Sequence, residues 1–367
     1  MESNRRLWLK QIGLGVAGIG LANFKSFARP TQDFFTISPD NLPIKLSSNE
    51  NPYGPSPLAR TAMIDNINIS NRYNWQLTSE LIETLAKINN VAADNILMGA
   101  GSTEILDLVA RFSALQKGSL IIADPSYAYW TNTAQKLGLI KITVPLTADK
   151  KLNLDAMLKA IKPDTKLIYV CNPNNPTGTI CDRNKLIKFI TEATKKAMVL
   201  VDEAYLEFTD QQSLSSLVIE NKNLIVVKTF SKIYGLAGAR IGYAIANTKT
   251  IEQLSELQSW VNGSISVPST AAALASLKDE KFASDTHSLN QKARQFTIER
   301  LEKLNLVCIP SYSNFIYFSL TNYKKDFFEQ LKINNIIGTK IYEEQGKWTR
   351  ITVGSMQEMQ KFISAIE

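Results

Sequence analysis

Hydrophobic and polar positions alternate between two patterns over most of this chain. Short apolar runs bounded by polar turns predict strands, while apolar residues spaced three or four apart predict helices. Strands are predicted at Asn95–Met98, Leu120–Ala123, Ile142–Pro145, Leu167–Cys171, Met198–Val201, Leu224–Val227 and Ile241–Ala246. Helices are predicted at Leu77–Ile88, Glu104–Leu115, Tyr129–Leu137, Leu154–Ile161 and Arg183–Lys195. This alternation predicts an α/β fold with a mostly parallel central sheet flanked by helices.

The pattern changes towards the C-terminus, where short strands and helices follow long helical stretches. Helices are predicted at Thr250–Trp260, Ser269–Leu277, Ser284–Leu304, Lys324–Ile333 and Met356–Ile366, and strands at Leu306–Ile309, Asn314–Ser319 and Arg350–Val353. We expect a large domain over residues 61–284 and a smaller α+β domain over 285–367. Residues 29–60 are expected to contribute to the small domain, with a loop at Leu46–Pro57, where prolines and a glycine cluster.

The first 28 residues carry a different signal. Arg5 and Arg6 precede a glycine-rich apolar run over residues 12–22, and Ser26-Phe27-Ala28 has the small-x-small form of a cleavage site. Adjacent arginines in this setting resemble a bacterial twin-arginine export signal, and the run is too short for an ordinary membrane span. We therefore expect export to the periplasm and no stable membrane anchor; the alternative is an amphipathic helix at the start of a cytoplasmic protein.

Composition narrows the chemistry that the chain can perform. The 367 residues are 44% hydrophobic and 20% charged, which is ordinary for a folded protein with a sizeable core. The net charge of +7 is spread along the chain without a basic block, so it favours anionic small substrates and gives no specific support to nucleic-acid binding. The single histidine, His287, and three cysteines without zinc spacing exclude the usual metal clusters and Ser–His or Cys–His nucleophiles.

Polar clusters follow the predicted strands, where ligands bind in open α/β sheets. Lys232 lies in such a cluster, and its amine can form a Schiff base with a carbonyl. Hydroxyls and a guanidinium suited to a phosphate lie in the same stretch or at a predicted helix start, at Ser102, Thr103, Thr229, Ser231 and Arg240. Taken singly, these residues are more typical of helix caps and of a solvated Lys/Arg loop.

Other polar residues suggest partners for an aromatic ring. Asp202 ends an apolar strand, so its carboxylate needs a cationic or hydrogen-bonding partner, and a protonated pyridine nitrogen is one. Asn175 and Tyr205 can bond a phenolate oxygen. Tyr127 can stack on a ring or be an ordinary half-buried tyrosine, and Arg350 can hold a carboxylate with two hydrogen bonds or be a surface arginine.

The ordered motifs resemble the fold-type-I pyridoxal-phosphate aminotransferases, in particular the histidinol-phosphate aminotransferase branch. The resemblance spans residues 47–354 and rests on SSNENPYGP, Arg72-Tyr73, GAGSTEILDL, DPSYAYW, NPNNPTG, VDEAYLEF, KTFSKIYGLAGARIGY and TRITVG. It implies pyridoxal 5'-phosphate as cofactor, attached to Lys232. The fold implied is that of the fold-type-I pyridoxal-phosphate-dependent transferases.

The resemblance also implies a role for each site residue. Asp202 would hold the ring nitrogen, Asn175 and Tyr205 the 3-oxygen, and Tyr127 would stack on the ring. The cofactor phosphate would be held by Ser102, Thr103, Thr229, Ser231 and Arg240, and by Tyr73 of the neighbouring subunit in a homodimer with shared active sites. Arg350 would bind the substrate carboxylate, and Lys232 would shuttle the proton during transamination.

The implied activity moves an amino group from a histidinol-phosphate-like or aromatic donor to a 2-oxo acid such as 2-oxoglutarate, by a ping-pong route. Two departures affect the donor. IIGTK places Thr339 about where the histidinol-phosphate enzymes carry an arginine, with Lys340 next to it, and the tyrosine-bearing segment that those enzymes have upstream of the NENP loop is not found in this sequence. The alternatives are a pyridoxal-phosphate-dependent decarboxylase of an amino acid phosphate and a non-catalytic exported ligand-binding module.

Overall fold

A computed structural model describes residues 42–343 and 347–367. Its strands are β1 (Ile44–Lys45), β2 (Ile96–Gly99), β3 (Ser119–Asp124), β4 (Ile140–Pro145), β5 (Thr165–Cys171), β6 (Met198–Asp202), β7 (Leu224–Thr229), β8 (Gly242–Ala246), β9 (Cys308–Ile309), β10 (Phe315–Ser319), β11 (Ile336–Ile337), β12 (Ile341–Glu343) and β13 (Trp348–Thr352). The predicted export signal, residues 1–28, lies outside the described residues.

Helices lie between most of these strands. They are α1 (Pro57–Asp65), α2 (Trp75–Asn89), α3 (Ser102–Ser113), α4 (Thr131–Lys136), α5 (Leu154–Lys159), α6 (Arg183–Ala193), α7 (Thr248–Ser255), α8 (Val267–Lys278), α9 (Glu280–Lys303), α10 (Phe327–Ile333) and α11 (Met356–Ile366). In the described part of the chain, no helix is both long enough and apolar enough to cross a membrane.

Seven strands form the central sheet in the order β2-β8-β7-β6-β5-β3-β4. Among the described strands of this sheet, β8 runs opposite to the other six, so the predicted mostly parallel α/β sheet is confirmed. Alternate side chains of β7 enter different cores, Val226 one and Val227 the other, because successive residues of a strand face opposite sides. Helices cover both faces, which explains why the strands are apolar throughout.

A second, four-stranded antiparallel sheet has the order β12-β13-β10-β9. It has its own core with α9, α10 and α11, built around Ile316, Phe318, Ile351 and Phe362. Strand β1 pairs in parallel with β11, so the chain before α1 contacts the C-terminal part. Contacts group Pro43–Glu367 into one unit, and the domain boundaries after residues 60 and 284 stay predictions.

The structure corrects several predicted elements. Helix α1 follows the predicted loop directly and was not predicted, although Ser56 caps it by accepting the Ala59 N–H and Pro57 occupies its first turn. The predicted helix Thr250–Trp260 is wrong in its bounds, since the helix ends at Ser255. Strands β1, β11 and β12 contain only two or three residues, too few for a periodic signal to emerge.

Candidate active site

The carboxyl ends of the parallel strands meet at one edge of the central sheet, where a cavity of about 480 Å³ opens. All residues predicted for the site except Tyr73 line this cavity. Arg350 reaches it from β13 of the second sheet, and Ser47 to Glu50 reach it from the segment after β1. The cavity is therefore built from both sheets and the segment between β1 and α1.

Asp202, the last residue of β6, lies deep in the cavity wall and is only 3% exposed. Its Oδ2 accepts a hydrogen bond from the Tyr169 hydroxyl at 2.8 Å, and its Oδ1 accepts one from the Ala204 N–H at 3.1 Å. Burial raises the pKa of Asp202, while those two bonds and the positive charge of Lys232 oppose the rise. A buried carboxylate with two donors retains lone pairs for a cation or N–H donor.

Three polar side chains cluster beside Asp202. The Tyr205 hydroxyl accepts hydrogen bonds from Asn49 Nδ2 at 3.0 Å and from Asn175 Nδ2 at 3.2 Å. Burial raises the pKa of Tyr205, so the phenol stays protonated and keeps its own O–H for a further acceptor. The Asn175–Pro176 peptide is cis. Asn49 was not among the predicted site residues, although it lies in the NENP motif.

Lys232 lies between this cluster and the second sheet. Its Nζ donates to the Ser48 carbonyl at 3.2 Å and lies 5.6 Å from the centroid of the Tyr205 ring. Burial, reinforced by the positive charge of Arg350, lowers the pKa of Lys232 to about 8. Near pH 8 the Lys232 amine is therefore neutral in a sizeable fraction of the molecules, and only the neutral amine can attack a carbonyl.

Hydroxyls and an arginine gather at the N-terminus of α3. Ser102 and Thr103 are the first two residues of that helix, and Thr229 and Ser231 hydrogen-bond to each other at 2.9 Å across the cavity wall. Arg240 Nη1 donates to the Ala237 carbonyl at 2.9 Å, and its guanidinium contacts the space beside Gly101. A helix N-terminus with hydroxyls and a guanidinium offers donors that suit a phosphate.

Arg350 has a different environment from Arg240, because it is only 6% exposed. Its Nη1 donates to Asn175 Oδ1 at 2.5 Å and its Nη2 to the Ser47 carbonyl at 2.6 Å. Within residues 42–343 and 347–367, the Nε atom finds no acceptor. Arg350 lies in the middle of β13, because that strand begins at Trp348 and not at Arg350 as predicted.

The remaining walls combine Thr339 and Tyr127, which the sequence singled out, with residues that it did not. Tyr129 and Tyr342 line the cavity together with Thr339, and Cys171 lies near Asp202. Tyr127 packs 5.8 Å from Tyr129, and burial raises its pKa. Tyr342 carried no sequence signal, since it comes from a short edge strand of the other sheet.

Tyr73 lies outside this cavity. It is 69% exposed and forms an aromatic cluster with Trp75 at 5.9 Å and Trp260 at 4.5 Å. Its predicted contact was with a neighbouring subunit, so its role stays a prediction.

These features fit pyridoxal phosphate. The buried Asp202 carboxylate suits the ring nitrogen, the lowered pKa of Lys232 suits attachment, and the side of Gly101 that faces Arg240 has no room for a Cβ. The fold and the site together define a pyridoxal-phosphate enzyme of fold type I.

Comparison with known proteins identifies the family. A model of the family "Aminotransferase class I and II" matches residues 43–366, and the chain belongs to that family. The chain is 36% identical to the histidinol-phosphate aminotransferase of Caldicellulosiruptor saccharolyticus, covering 88% of this chain and 91% of the relative. It is 34% identical to the aromatic amino acid aminotransferase of Mycolicibacterium smegmatis, and the match covers 87% of this chain and 88% of that relative.

Among solved structures, the histidinol-phosphate aminotransferase of Sinorhizobium meliloti in complex with pyridoxal-5'-phosphate superimposes with a TM-score of 0.81. Its identity to this chain is 23%, with 93% of this chain and 97% of that chain covered. At this identity the match shows the fold alone. The protein is a pyridoxal-phosphate-dependent aminotransferase, as the resemblance implied.

Proposed function

We propose that this aminotransferase moves an amino group from a histidinol-phosphate-like or aromatic donor to 2-oxoglutarate by a ping-pong mechanism. The observation that carries the proposal is Arg350. In the described structure the Nε of this buried guanidinium lacks an acceptor and its two Nη atoms donate to neutral oxygens. This favours an anionic ligand, because a buried charge without a counter-charge is costly. A 2-oxo acid carries such a carboxylate, and so does an amino acid donor.

The chain's own residues would hold the cofactor from several sides. Lys232 would attach it and Asp202 would bind the ring nitrogen, while Asn175 and Tyr205 would bond the 3-oxygen and Tyr127 would stack on the ring. The phosphate would be held by Ser102, Thr103, Thr229, Ser231 and Arg240, which line one end of the cavity. When bound, pyridoxal phosphate supplies an aldehyde that accepts the amino group and a ring that withdraws electrons from the reacting carbon.

Proton transfer would fall to Lys232. With a pKa near 8, its Nζ can both release and accept a proton at neutral pH, which is the property a general acid–base needs. The neighbouring Ser48 carbonyl at 3.2 Å orients the amine without neutralising it.

The donor would be selected at the wall formed by Tyr129, Thr339 and Tyr342. The Lys340 ammonium lies 5.6 Å from the ring of Tyr129 and 5.8 Å from that of Tyr342. Two aromatic rings and a cation suit a donor that carries both a flat ring and an anionic group. Lys340 would thus take the place of the arginine that the histidinol-phosphate enzymes carry near position 339.

The exposed aromatic cluster of Tyr73, Trp75 and Trp260 supports a homodimer with shared active sites, since exposed aromatic patches mark interfaces. A mixed-dimer experiment tests it: an inactive Lys232→Ala subunit and an inactive Tyr73→Ala subunit are co-expressed. Each mixed dimer would then contain one intact site and regain up to half of the activity per dimer. No recovery in isolated mixed dimers would contradict shared sites.

We also propose that residues 1–28 direct export through the twin-arginine route, on the strength of Arg5-Arg6 and the apolar run that follows. Cell fractionation with mass spectrometry of the mature N-terminus tests this. An uncut chain found only in the cytoplasm would contradict it, whereas cleavage after residue 28 that is lost in an Arg5→Lys/Arg6→Lys variant supports it.

A donor screen tests the main proposal. Histidinol phosphate and the aromatic amino acids are offered with 2-oxoglutarate, and glutamate formation is measured. Lys232→Ala should abolish both the yellow colour of attached cofactor and turnover. Release of CO₂ in place of a 2-oxo acid would identify a decarboxylase instead.

Two variants locate the donor contact. Lys340→Met should raise KM for histidinol phosphate about tenfold and leave KM for phenylalanine nearly unchanged, since only the first donor carries a phosphate. Thr339→Arg should lower KM for histidinol phosphate. Equal effects on both donors would contradict a phosphate contact at Lys340.

A further inference from the structure

One ion pair joins the second sheet to the turn that follows β4 of the central sheet. Lys150 Nζ lies 2.7 Å from Oε2 and 2.9 Å from Oε1 of Glu343, the last residue of β12. Tyr317, which is fully buried in β10, donates its hydroxyl to Glu343 Oε1 at 2.8 Å. The lysine and glutamate side chains are only 19% and 27% exposed, so the pair is partly removed from solvent.

Lys150 is held firmly at its own end. It adopts a φ of +60° in a turn in which its N–H donates to the Thr147 carbonyl at 2.9 Å. Its carbonyl accepts the Thr179 hydroxyl at 2.9 Å, which ties it to the chain that follows the NPNNPTG loop. Its ammonium also lies 4.9 Å from the Trp348 ring. Lys150 is therefore already held in place. A freely moving, exposed lysine would lose side-chain entropy on forming the same pair.

The other end of the pair belongs to a weakly supported segment. Strand β12 has three residues and, within residues 42–343 and 347–367, pairs with β13 alone at the edge of its sheet; its register shifts between Ile341 and Glu343. The same segment carries Thr339 and Tyr342, which line the active-site cavity. Backbone pairing gives this wall little support, so side chains must supply the rest.

We propose that Lys150 and Glu343 are positioning residues that hold the 339–343 wall against the cavity and thereby set affinity for the amino donor. The inference rests on the proposed function in one respect only, namely that the donor contacts this wall. Neither residue lines the cavity, and the cofactor contacts proposed above come from other elements. Loss of the pair would therefore weaken donor binding far more than cofactor binding.

The first test measures the wall directly and needs no donor. Hydrogen exchange is followed in the holoenzyme for a peptide that covers Thr339 to Glu343, in wild type, Lys150→Met and Glu343→Gln. Both variants should exchange about tenfold faster in this peptide. The matched control is Lys151→Met, which breaks the neighbouring but exposed pair with Asp149 at 2.7 Å and should leave exchange unchanged. Unchanged exchange in both test variants would overturn the proposal.

The second test separates donor from cofactor. Dissociation constants of the holoenzyme for histidinol phosphate and phenylalanine are obtained from cofactor absorbance, and that of the apoenzyme for pyridoxal phosphate by titration. Each single variant should weaken binding of the reacting donor about tenfold and cofactor binding less than twofold. The double variant should be no worse than either single one, because both act through one pair. Additive losses, or equal losses for cofactor and donor, would overturn the proposal.

The two proposals can fail separately. A wild-type enzyme that responds to neither donor contradicts the proposed donor class, while the exchange experiment still decides the role of the pair. If a charged-site variant does not fold, Tyr317→Phe removes one hydrogen bond to Glu343 without touching a charge. It should accelerate exchange of the same peptide by a smaller factor, and no acceleration would count against the proposal.

Discussion

The Tyr169 hydroxyl donates a 2.8 Å hydrogen bond to Oδ2 of Asp202, and both groups are buried. Tyr169 packs edge-on against Trp130, with ring centroids 5.0 Å apart, so its hydroxyl has little freedom to turn away. Burial raises the pKa of Tyr169 well above its usual value, which keeps the phenol a donor throughout the physiological range. The Asp202 carboxylate thus keeps Tyr169 as the donor to Oδ2, while the Ala204 N–H donates to Oδ1.

Replacing Tyr169 with Phe should therefore weaken cofactor binding. The variant removes a hydrogen bond to a charged group, worth about 1.5–3 kcal/mol, and the dissociation constant for pyridoxal phosphate should rise about 10- to 100-fold. The pKa of Asp202 should rise further, so the acid limb of cofactor binding moves to higher pH. Equilibrium titrations of the apoenzyme across the acid to neutral range measure both effects.

Tyr243→Phe is the matched control, because Tyr243 is also a buried tyrosine but does not line the cavity. It should leave both the affinity and the acid limb unchanged. An unaltered acid limb in Tyr169→Phe would mean that Tyr169 serves packing alone.

Lys232 should make the cofactor-free protein less stable at neutral pH. Its native pKa of about 8 lies below the ordinary 10.5, so below pH 8 the native state holds a charged amine in an unfavourable setting. That cost fades as the native amine loses its proton between pH 8 and 10.5. Lys232→Met should raise the unfolding free energy of the apoenzyme by about 1–2 kcal/mol at neutral pH, after allowance for partial exposure.

Urea unfolding at neutral pH and at about pH 10 checks this prediction, since the gain from Lys232→Met should shrink at the higher pH. Lys87→Met, on an exposed face of α2, controls for loss of a lysine in general. A gain that is independent of pH would show that burial of the charge is not the cause.

A buried ion cluster behind the site should be essential for stability. Lys228 lies 3.0 Å from Glu207 and 3.3 Å from Glu203, and Glu203 also accepts hydrogen bonds from Ser213 and Leu214. Burial alone would lower the pKa of Lys228, but the two carboxylates outweigh it and raise the pKa well above its usual value. Lys228→Met would leave the buried Glu203 carboxylate and the partly exposed Glu207 carboxylate without this cation.

We expect Lys228→Met to lower the unfolding free energy by about 3–5 kcal/mol, as measured by chemical denaturation. Arg111→Met is the control, since Arg111 pairs with Asp107 at 2.7 Å on an exposed helix face and should contribute less than about 1 kcal/mol. Similar losses in the two variants would contradict a special role for the buried cluster.

Gly101→Ala should impair the phosphate end of the cavity. Gly101 has a φ of +79°, and a Cβ there would collide with the Arg240 guanidinium. We expect pyridoxal phosphate to bind at least about tenfold more weakly, because Arg240 must move from its position. Gly138→Ala controls for backbone strain, since Gly138 has a φ of +103° and, among the described residues, no atom lies close to where its Cβ would be.

Gly138→Ala should cost about 1–2 kcal/mol of stability and leave cofactor affinity unchanged. If Gly101→Ala behaved in the same way, strain alone would explain it and the contact with Arg240 would be irrelevant to the cofactor.

Much of the fold could be predicted from the sequence because its signals are local. The run Leu224–Val227 is apolar at every position, which marks a strand covered on both faces, and Asp202 and Thr229 mark the ends of their strands. Parallel strands end at a common edge, so these side chains could be expected to meet. The motifs then predicted that phosphate-binding side chains and Lys232 lie at that edge.

Tertiary structure alone decided which residues complete the site. Tyr169 looks like any core tyrosine of β5 until the pairing of β5 with β6 brings its hydroxyl to Asp202. Tyr342 enters the cavity from the edge of another sheet, and Arg350 reaches Asn175 across 175 positions of the chain. Helix caps and hydrophobic periodicity depend on neighbours along the chain, whereas these contacts depend on how two sheets and their cores pack, and no local pattern encodes that.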